Sequence, residues 1–279
     1  MKSYSTTHAL KARIRNKKYN GQTLTNLGSF TRAKSGYMAL KSHSNGISML
    51  AKVSSNFGSV TYYPIKYANG AYYGMAHANS ITRVGSKYFI ATMNDPNVGP
   101  AMIKVGKRGK VLAEYPFFTV SGTKSTAWAM DYYGNYGGHD YFFFLTGCEV
   151  NGSVKSPHFD LVRLDIDGFR ATGIRLTANS PLPVAYVEND ITYNPLSRKL
   201  YATFFLKEGG HIKKSFVYAY KIDHTNTSHV IDTPKLWMTT SQTGESNHFE
   251  VEAFIYNSGK YVVANVGGGK DGIYKLLNK

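Results

Sequence analysis

The sequence predicts an all-β fold, a β-propeller of five blades with about four antiparallel strands in each blade. Two observations lead to this prediction. The composition favours strands and tight turns, because 22 Tyr, 15 Phe and 27 Gly accompany only 9 Pro and 18% charged residues. The second observation is a unit of about 50 to 60 residues that recurs along the chain. A length of 279 residues accommodates five such units.

Each copy of the unit has a polar cluster, an apolar position, a turn and a short aromatic or β-branched strand. These last strands begin at residues 88, 141, 200 and 261, and a degenerate fifth copy lies near Gly36 to Lys52. Further hairpins lie between the copies, so that each unit holds about four strands. One predicted hairpin pairs Ala101 to Val105 with Lys110 to Tyr115. Another pairs Leu161 to Ile166 with Ala171 to Leu176.

A four-stranded unit at this spacing is typical of a propeller, in which each sheet packs against its neighbours and the ring closes. The C-terminal Gly272-Ile-Tyr-Lys-Leu276 is predicted to be a strand that completes a blade with help from the N-terminal segment. We therefore expect a basic N-terminal segment at residues 1–20 and a single propeller domain at residues 21–279. A β-sandwich, or a pair of them, is the competing architecture.

Cysteine content and hydropathy narrow the class of protein. The single Cys148 excludes an intramolecular disulfide, and no Cys or His spacing typical of a zinc site occurs. No apolar run approaches ~18 residues, so no membrane span is predicted. Met1 to Leu10 lacks the apolar core of a signal peptide, and the removal of a leader stays an open alternative. The bias toward Tyr, Ser, Asn, Gly and Thr resembles secreted glycan-binding surfaces. We predict a secreted, cell-surface-associated monomer.

Positive charge is concentrated in the first third of the chain. Of the net charge of +16, residues 1–94 contribute +13, because they hold 13 of the 33 Lys and Arg and no Asp or Glu. Such asymmetry indicates a polyanionic partner: nucleic acid, anionic lipid, or a bacterial wall polymer such as teichoic acid. Nucleic acid is disfavoured because no known nucleic-acid-binding motif accompanies the charge. The predicted polyanion-binding residues are Lys11, Arg13, Arg15, Lys17 and Lys18.

A structural interpretation of the same charge stays open. Lysine-rich strands also keep an aromatic all-β surface soluble, without any specific partner.

The polar clusters of the repeat are predicted to meet at one mouth of the central channel, because the innermost strand of each blade begins there. Carboxylates in a ring could coordinate a hard cation such as Ca²⁺, although no cofactor is otherwise expected. Alternatively, these side chains cap strand ends and hold neighbouring blades in register. The candidate ligand-binding residues are His77, Asn79, Trp128, Asp131, Glu188, Asn189, Asp190, His248, Glu250 and Glu252.

A short string, Met93-Asn94-Asp95-Pro96-Asn97, resembles the nucleophile motif of fructan- and sucrose-cleaving glycosidases, which are five-bladed propellers. The resemblance implies an alternative function as a glycoside hydrolase, with a carboxylate nucleophile and a second carboxylate as the acid. The residues of that alternative are Asp95, Asp190, Glu188 and Glu252. The string departs from the motif at Thr92 and Val98, and Asn-Asp-Pro-Asn is also an ordinary turn sequence.

Three further strings resemble the repeats of the helveticin J family, large bacteriocins and surface-associated proteins of lactobacilli. They are Gly36-Tyr-Met-Ala, His77-Ala-Asn79 with Phe89-Ile-Ala-Thr92, and His248-Phe-Glu250-Val-Glu252-Ala-Phe254 with Ile273-Tyr-Lys-Leu276. The resemblance implies secretion and action on the envelope of neighbouring bacteria. This sequence differs from the family by Asn79, where an acidic residue is usual, and by its more basic first third. The predicted function is a bacteriocin-like protein that binds envelope glycans or anionic wall polymers.

Overall fold

The chain is described by a computed structural model that covers residues 7–43, 46–75, 78–92, 94, 97, 99–147, 158–178, 187–208, 211–222, 230–231, 235–241, 250–256 and 259–277. All regular structure in this part of the chain is β. The strands are β1 (Thr7–Arg13), β2 (Lys17–Tyr19), β3 (Gln22–Leu24), β4 (Asn26–Arg32), β5 (Tyr37–Ser42), β6 (Ser48–Val53), β7 (Val60–Pro64), β8 (Ser80–Val84), β9 (Lys87–Ala91), β10 (Met102–Val105), β11 (Val111–Tyr115), β12 (Phe117–Phe118), β13 (Lys124–Ser125), β14 (Ala129–Tyr136), β15 (His139–Gly147), β16 (His158–Asp165), β17 (Gly168–Ala178), β18 (Val187–Asn194), β19 (Lys199–Glu208), β20 (His211–Lys221), β21 (Val230–Ile231), β22 (Lys235–Ser241), β23 (Glu250–Tyr256), β24 (Lys260–Asn265) and β25 (Gly272–Leu277).

These strands form five antiparallel blades, which confirms the predicted five-bladed propeller. Blade 1 is β4-β5-β6-β7, blade 2 is β8-β9-β10-β11, blade 3 is β14-β15-β16-β17, blade 4 is β18-β19-β20-β22, and blade 5 is β23-β24-β25-β1. Short strands β12, β13 and β21 extend blade 3, and β2 with β3 forms a separate hairpin. The predicted hairpins are β10 with β11 and β16 with β17. The degenerate fifth copy covers β5 and β6, the second and third strands of blade 1, whereas the four clear copies are the first and second strands of their blades.

The innermost strands close into a ring. Strand β4 contacts β8, β8 contacts β14, β14 contacts β18, β18 contacts β23, and β23 contacts β4. The N-terminal strand completes the last blade, because β1 pairs antiparallel with β25 from Thr7 opposite Leu277 to Arg13 opposite Gly272. This pairing was expected from the sequence. Part of the basic N-terminal segment is therefore a strand of blade 5.

The core consists of the interfaces between adjacent blades. Strand β5 shows the pattern, since all its residues are buried. Alternate side chains point to opposite faces of a strand, so Met38 and Leu40 pack against Ile90 of blade 2. Tyr37 and Ala39 pack against blade 5 through the cluster that holds Ala253, Val263 and Ile273. Burial on both faces accounts for the apolar run at residues 37–40, which Lys41 and Ser42 follow as buried polar residues.

Aromatic side chains fill the interface between blades 2 and 3. Phe89 meets Phe142 and Phe169 edge-on, with ring centroids 5.3 Å and 6.0 Å away. Such pairs add roughly 0.5 to 1.5 kcal/mol of stability beyond the contribution of the apolar area that they bury.

Among the residues that the structure describes, no helix could span a membrane.

Candidate functional site

Asp190, on the innermost strand of blade 4, reaches across the axis of the propeller. Its Oδ1 accepts a hydrogen bond from the Ser80 hydroxyl of blade 2 at 2.7 Å, and its Oδ2 accepts one from the Ser29 hydroxyl of blade 1 at 2.5 Å. The Ile191 amide also donates to Oδ1, at 2.8 Å. Blades 1 and 2 are not neighbours of blade 4 in the ring. The Asp190 side chain therefore fills the axis at this level.

Two hydroxyl groups extend this network to the remaining blades. The Ser80 Oγ lies 2.8 Å from the carbonyl oxygen of Met130 and accepts a bond from the Met130 amide at 3.1 Å, which adds blade 3. The Thr203 Oγ1 accepts a bond from the Asp190 amide at 3.0 Å and donates to the carbonyl oxygen of Glu252 at 2.9 Å, which adds blade 5. We call Ser29, Ser80, Asp190 and Thr203 the axial junction. It connects the innermost strands of all five blades.

Burial raises the pKa of Asp190 well above its ordinary value, although the hydrogen bonds from Ser29 and Ser80 oppose the shift. Asp190 is only 3% exposed, and its acceptors are occupied by the junction. A carboxyl group that acts on a substrate must contact that substrate. The contacts of Asp190 are instead those of a group that holds blades together.

Asp131 connects three blades at a second level. Its Oδ1 accepts a hydrogen bond from the Thr82 hydroxyl of blade 2. The same oxygen accepts a second bond, at 2.8 Å, from the amide of the next residue, Tyr132. Its Oδ2 accepts a bond from the Tyr193 amide of blade 4 at 2.6 Å. Asp131 also lines a cavity of about 470 Å³, at the end of the axis where the innermost strands finish. Desolvation raises the pKa of Asp131 to about 6, and these hydrogen bonds oppose the rise.

The stability of the wild type is expected to fall between about pH 4 and pH 6, and the variant Asp131→Asn is expected to lack this fall. The folded-state pKa is about 6 and the ordinary value is 3.8, so the folded state binds the proton more tightly. The free energy of unfolding of the wild type therefore falls as the pH rises from about 4 to about 6. Relative to the variant, the wild type should lose roughly 2 to 3 kcal/mol over this interval. Urea unfolding of both proteins between pH 4 and pH 7 measures the difference. A difference that does not change with pH would contradict the desolvation of this carboxyl group.

Glu252 takes part in the contact between blades 5 and 1. It is 5% exposed, and the Asn265 Nδ2 donates to its Oε1 at 2.6 Å. The Oδ1 of Asn265 in turn accepts a bond from the Leu27 amide of blade 1 at 2.9 Å. Burial raises the pKa of Glu252 well above its ordinary value, and the charge of the half-buried Glu250 adds to the shift.

The other predicted ring residues have separate positions. Asn79 is 9% exposed, and its Oδ1 has no hydrogen-bond partner among the described residues. Trp128 is half-buried and packs against the core between blades 3 and 4. Within the described ranges, no three His, Cys, Asp or Glu side chains come together in a way that could hold a metal ion. Outside the described residues lie His77, Asp95, His248 and the side chains of Glu188 and Asn189.

Sequence reasoning identified the carboxylates of the ring but missed the hydroxyl groups that bind them. Ser29, Ser80 and Asp190 each precede a buried apolar residue on an innermost strand. That shared place in the repeat is the signal that could have identified the two serines.

The predicted polyanion-binding residues are exposed along the rim of the propeller, from the outer strand of blade 5 to the β2-β3 hairpin beside blade 1. On β1 they alternate with buried residues, so their side chains point outward. The Lys17 Nζ lies 4.7 Å from the ring centroid of Tyr62, which connects the hairpin with blade 1. We call this set the basic rim; it consists of Lys11, Arg13, Arg15, Lys17 and Lys18.

Comparison with known proteins supports the fold. No protein-family model and no curated protein matches the sequence. Among solved structures, the chain is similar to a GH43 β-1,3-galactosidase with galactodeoxynojirimycin, at a TM-score of 0.50 and 8% identity, over 94% of this chain and 93% of that one. The WD40 repeats of RRP9 also match, at a TM-score of 0.43 and 8% identity, over 98% and 100% of the two chains. The likeness to the galactosidase shows the fold alone: this chain is a five-bladed β-propeller.

Proposed function

We propose that this protein is a secreted binding protein that attaches to anionic polymers of the bacterial cell envelope. The observation that carries the proposal is the charge of the first third of the chain, where 13 cationic side chains occur without a single carboxylate in 94 residues. The exposure of the basic rim supports it, because exposed cations are accessible to a large partner. A polymer with repeated negative charges fits such a surface better than a single small anion does.

Electrostatics would act mainly on encounter in such a protein. Oppositely charged surfaces attract over about one Debye length, which is about 8 Å at physiological ionic strength. This attraction raises the rate of association and is screened by salt. Selection of a particular glycan would then require close contacts elsewhere on the propeller. The resemblance to the helveticin J family supports an antibacterial role for this binding.

Two carboxylates of the hydrolase alternative, Asp190 and Glu252, favour binding over hydrolysis because both are buried. The Asp190 carboxyl group connects separate blades, and Glu252 accepts a hydrogen bond from Asn265 within blade 5. A glycosidase needs two carboxyl groups that contact the sugar from opposite sides. The other two residues of the hydrolase alternative are Asp95 and Glu188; Asp95 and the side chain of Glu188 lie outside the described residues. Hydrolysis of a fructan that disappears in Asp95→Asn would establish that alternative.

The double variant Lys17→Ser/Lys18→Ser tests the proposal. Purified protein is sedimented with Gram-positive cell walls, before and after extraction of teichoic acid, across a salt series. We expect binding that weakens with salt, is lost on extraction, and shows a shallower salt dependence in the variant, because fewer counterions are released.

The matched control is Lys124→Ser/Lys221→Ser, which removes the same charge at exposed positions of blades 3 and 4. It should bind like the wild type. Wall binding that is insensitive to salt and to extraction would overturn the proposed function.

A further inference from the structure

A cleft of about 600 Å³ opens between blades 1 and 2, at the end of the propeller where the innermost strands finish. We call it the basic cleft. Five cationic side chains line it and no carboxylate does. Four of the five are exposed and make no ion pair with any residue that the structure describes. The five cations are Lys34, Lys52, Arg83, Lys107 and Arg108.

The cleft is an outward continuation of the apolar interface between the two blades. Leu50 and Ile81 belong to the core cluster of that interface. Two residues further along each strand, and therefore on the same face, stand Lys52 and Arg83. The buried side chain of Met38, 1% exposed, lies in the lining. The cationic side chains thus surround the opening of the cleft, and the apolar core between blades 1 and 2 lies beneath it.

Backbone contacts hold the two walls of the basic cleft together. Lys107 and Arg108 occupy the turn between β10 and β11. The amide of Lys66, two residues after blade 1 ends, donates to the carbonyl oxygen of Gly109 at 3.0 Å. The Val111 amide donates to the carbonyl oxygen of Lys66 at 2.8 Å. Gly109 has a φ of +82° and approaches the Pro64 carbonyl so closely that a Cβ would lie 2.3 Å from its oxygen.

On the same wall, which belongs to blade 2, the Arg83 Nε donates to the carbonyl oxygen of Gly85 at 2.7 Å, and this bond orients the guanidinium group. The cationic side chains therefore project from a preorganised frame. Preorganisation lowers the ordering cost of binding a ligand.

We propose that the basic cleft binds the phosphate groups of a sugar- or polyol-phosphate chain. This inference rests on the proposed function and specifies the chemistry of its ligand. Like charges held close together repel, and an anion between them relieves that repulsion. Phosphate oxygens accept paired hydrogen bonds from an Arg guanidinium group, and they are attracted to the compact charge of a Lys ammonium group. A volume of about 600 Å³ suits a ligand of a few sugar or polyol units.

The aromatic lining favours such a chain over nucleic acid. Proteins that bind single-stranded nucleic acid present rows of aromatic faces on which successive bases stack. In the basic cleft, Tyr88 is only 4% exposed and Tyr63 is half-buried, so no such row is available there.

The double variant Lys107→Ser/Arg108→Ser tests this site. Calorimetric titration uses a short synthetic glycerol-phosphate oligomer, a phosphate-free glycerol oligomer, and an oligothymidylate of equal charge. We expect the variant to bind the glycerol-phosphate oligomer about tenfold more weakly than the wild type, since charge-assisted hydrogen bonds are lost. The control Lys124→Ser/Lys221→Ser should bind it normally, and the phosphate-free oligomer should not bind.

Equal affinity of the wild type and Lys107→Ser/Arg108→Ser for the glycerol-phosphate oligomer would overturn the inference. So would tighter binding of the oligothymidylate. Inorganic phosphate gives a second measurement: at equal ionic strength it should raise the Tm of the wild type more than the Tm of Lys107→Ser/Arg108→Ser. Because phosphate stabilises folded proteins in general, only the difference between the two proteins reports on the site. Equal Tm shifts of the two proteins would count against the site. Wall binding that is weakened by Lys17→Ser/Lys18→Ser but not by the cleft variant would overturn the inference and leave the proposed function standing.

Discussion

The variant Asp190→Ala is expected to lower the free energy of unfolding by about 3 to 5 kcal/mol, because it leaves buried hydroxyl groups without their acceptor. Ser29 and Ser80 are both 0% exposed and both donate to the Asp190 carboxyl group. A buried polar group that loses its partner costs roughly 1 to 3 kcal/mol. The variant also frees the Ile191 amide, which donates to the same carboxyl group. Urea unfolding followed by intrinsic fluorescence measures the loss.

Two further variants separate the role of the axial junction from a general effect of charge. Asp190→Asn keeps the size of the side chain and one acceptor oxygen, so it should cost about 1 kcal/mol. Asp167→Ala removes an exposed carboxylate that pairs with Arg170, and it should change stability by less than ~0.5 kcal/mol. If Asp190→Ala were as stable as Asp167→Ala, the junction would not hold the blades together.

The variant Gly28→Ala is expected to destabilise the protein by about 3 kcal/mol through a backbone clash. A Cβ at Gly28 would lie 1.9 Å from the carbonyl oxygen of Ala78 and 3.1 Å from its carbon. Neither backbone atom can turn away as a flexible side chain does. Strand β4 would therefore have to move away from the start of β8. This movement would also stretch the bond at 3.3 Å from the Ile81 amide to the Ser29 Oγ.

Gly74→Ala is the matched control for Gly28→Ala. A Cβ at Gly74 would meet no atom within 4 Å, so this variant should not lower the Tm. Thermal unfolding of both variants by calorimetry gives the comparison. If the close approach at Gly28 is what brings Ser29 to Asp190, then Gly28→Ala/Asp190→Ala should lose less stability than the sum of the single variants. Strict additivity would contradict that coupling.

The number of blades and most strand positions could be predicted from the sequence because both are local properties. The last strands of the four clear copies are β9, β15, β19 and β24, which begin within two residues of the predicted positions. The degenerate copy was located by spacing alone. Apolar stretches such as residues 37–40 of β5 follow from burial on both faces of a strand.

The candidate site could be predicted only in part. The sequence predicted that the polar clusters, with Asp131, Asp190 and Glu252 among them, would meet at the mouth where the innermost strands begin. The structure instead buries Asp190 and Glu252 and places Asp131 at the end of the axis where those strands finish. Their partners could not be predicted, since Ser29 and Ser80 are 161 and 110 residues away from Asp190. Serine and threonine are common in strands of every kind, so their presence alone identifies no contact.

By itself the sequence determined the propeller class, the repeat spacing and the excess of positive charge in the first 94 residues, because each depends on residue type and order. Only the tertiary structure decided which side chains meet. It placed Lys52 and Arg83 beside the turn of Lys107 and Arg108, and it turned Asp190 across the axis. These juxtapositions depend on the register of pairing and on the packing of separate blades, which no local pattern specifies.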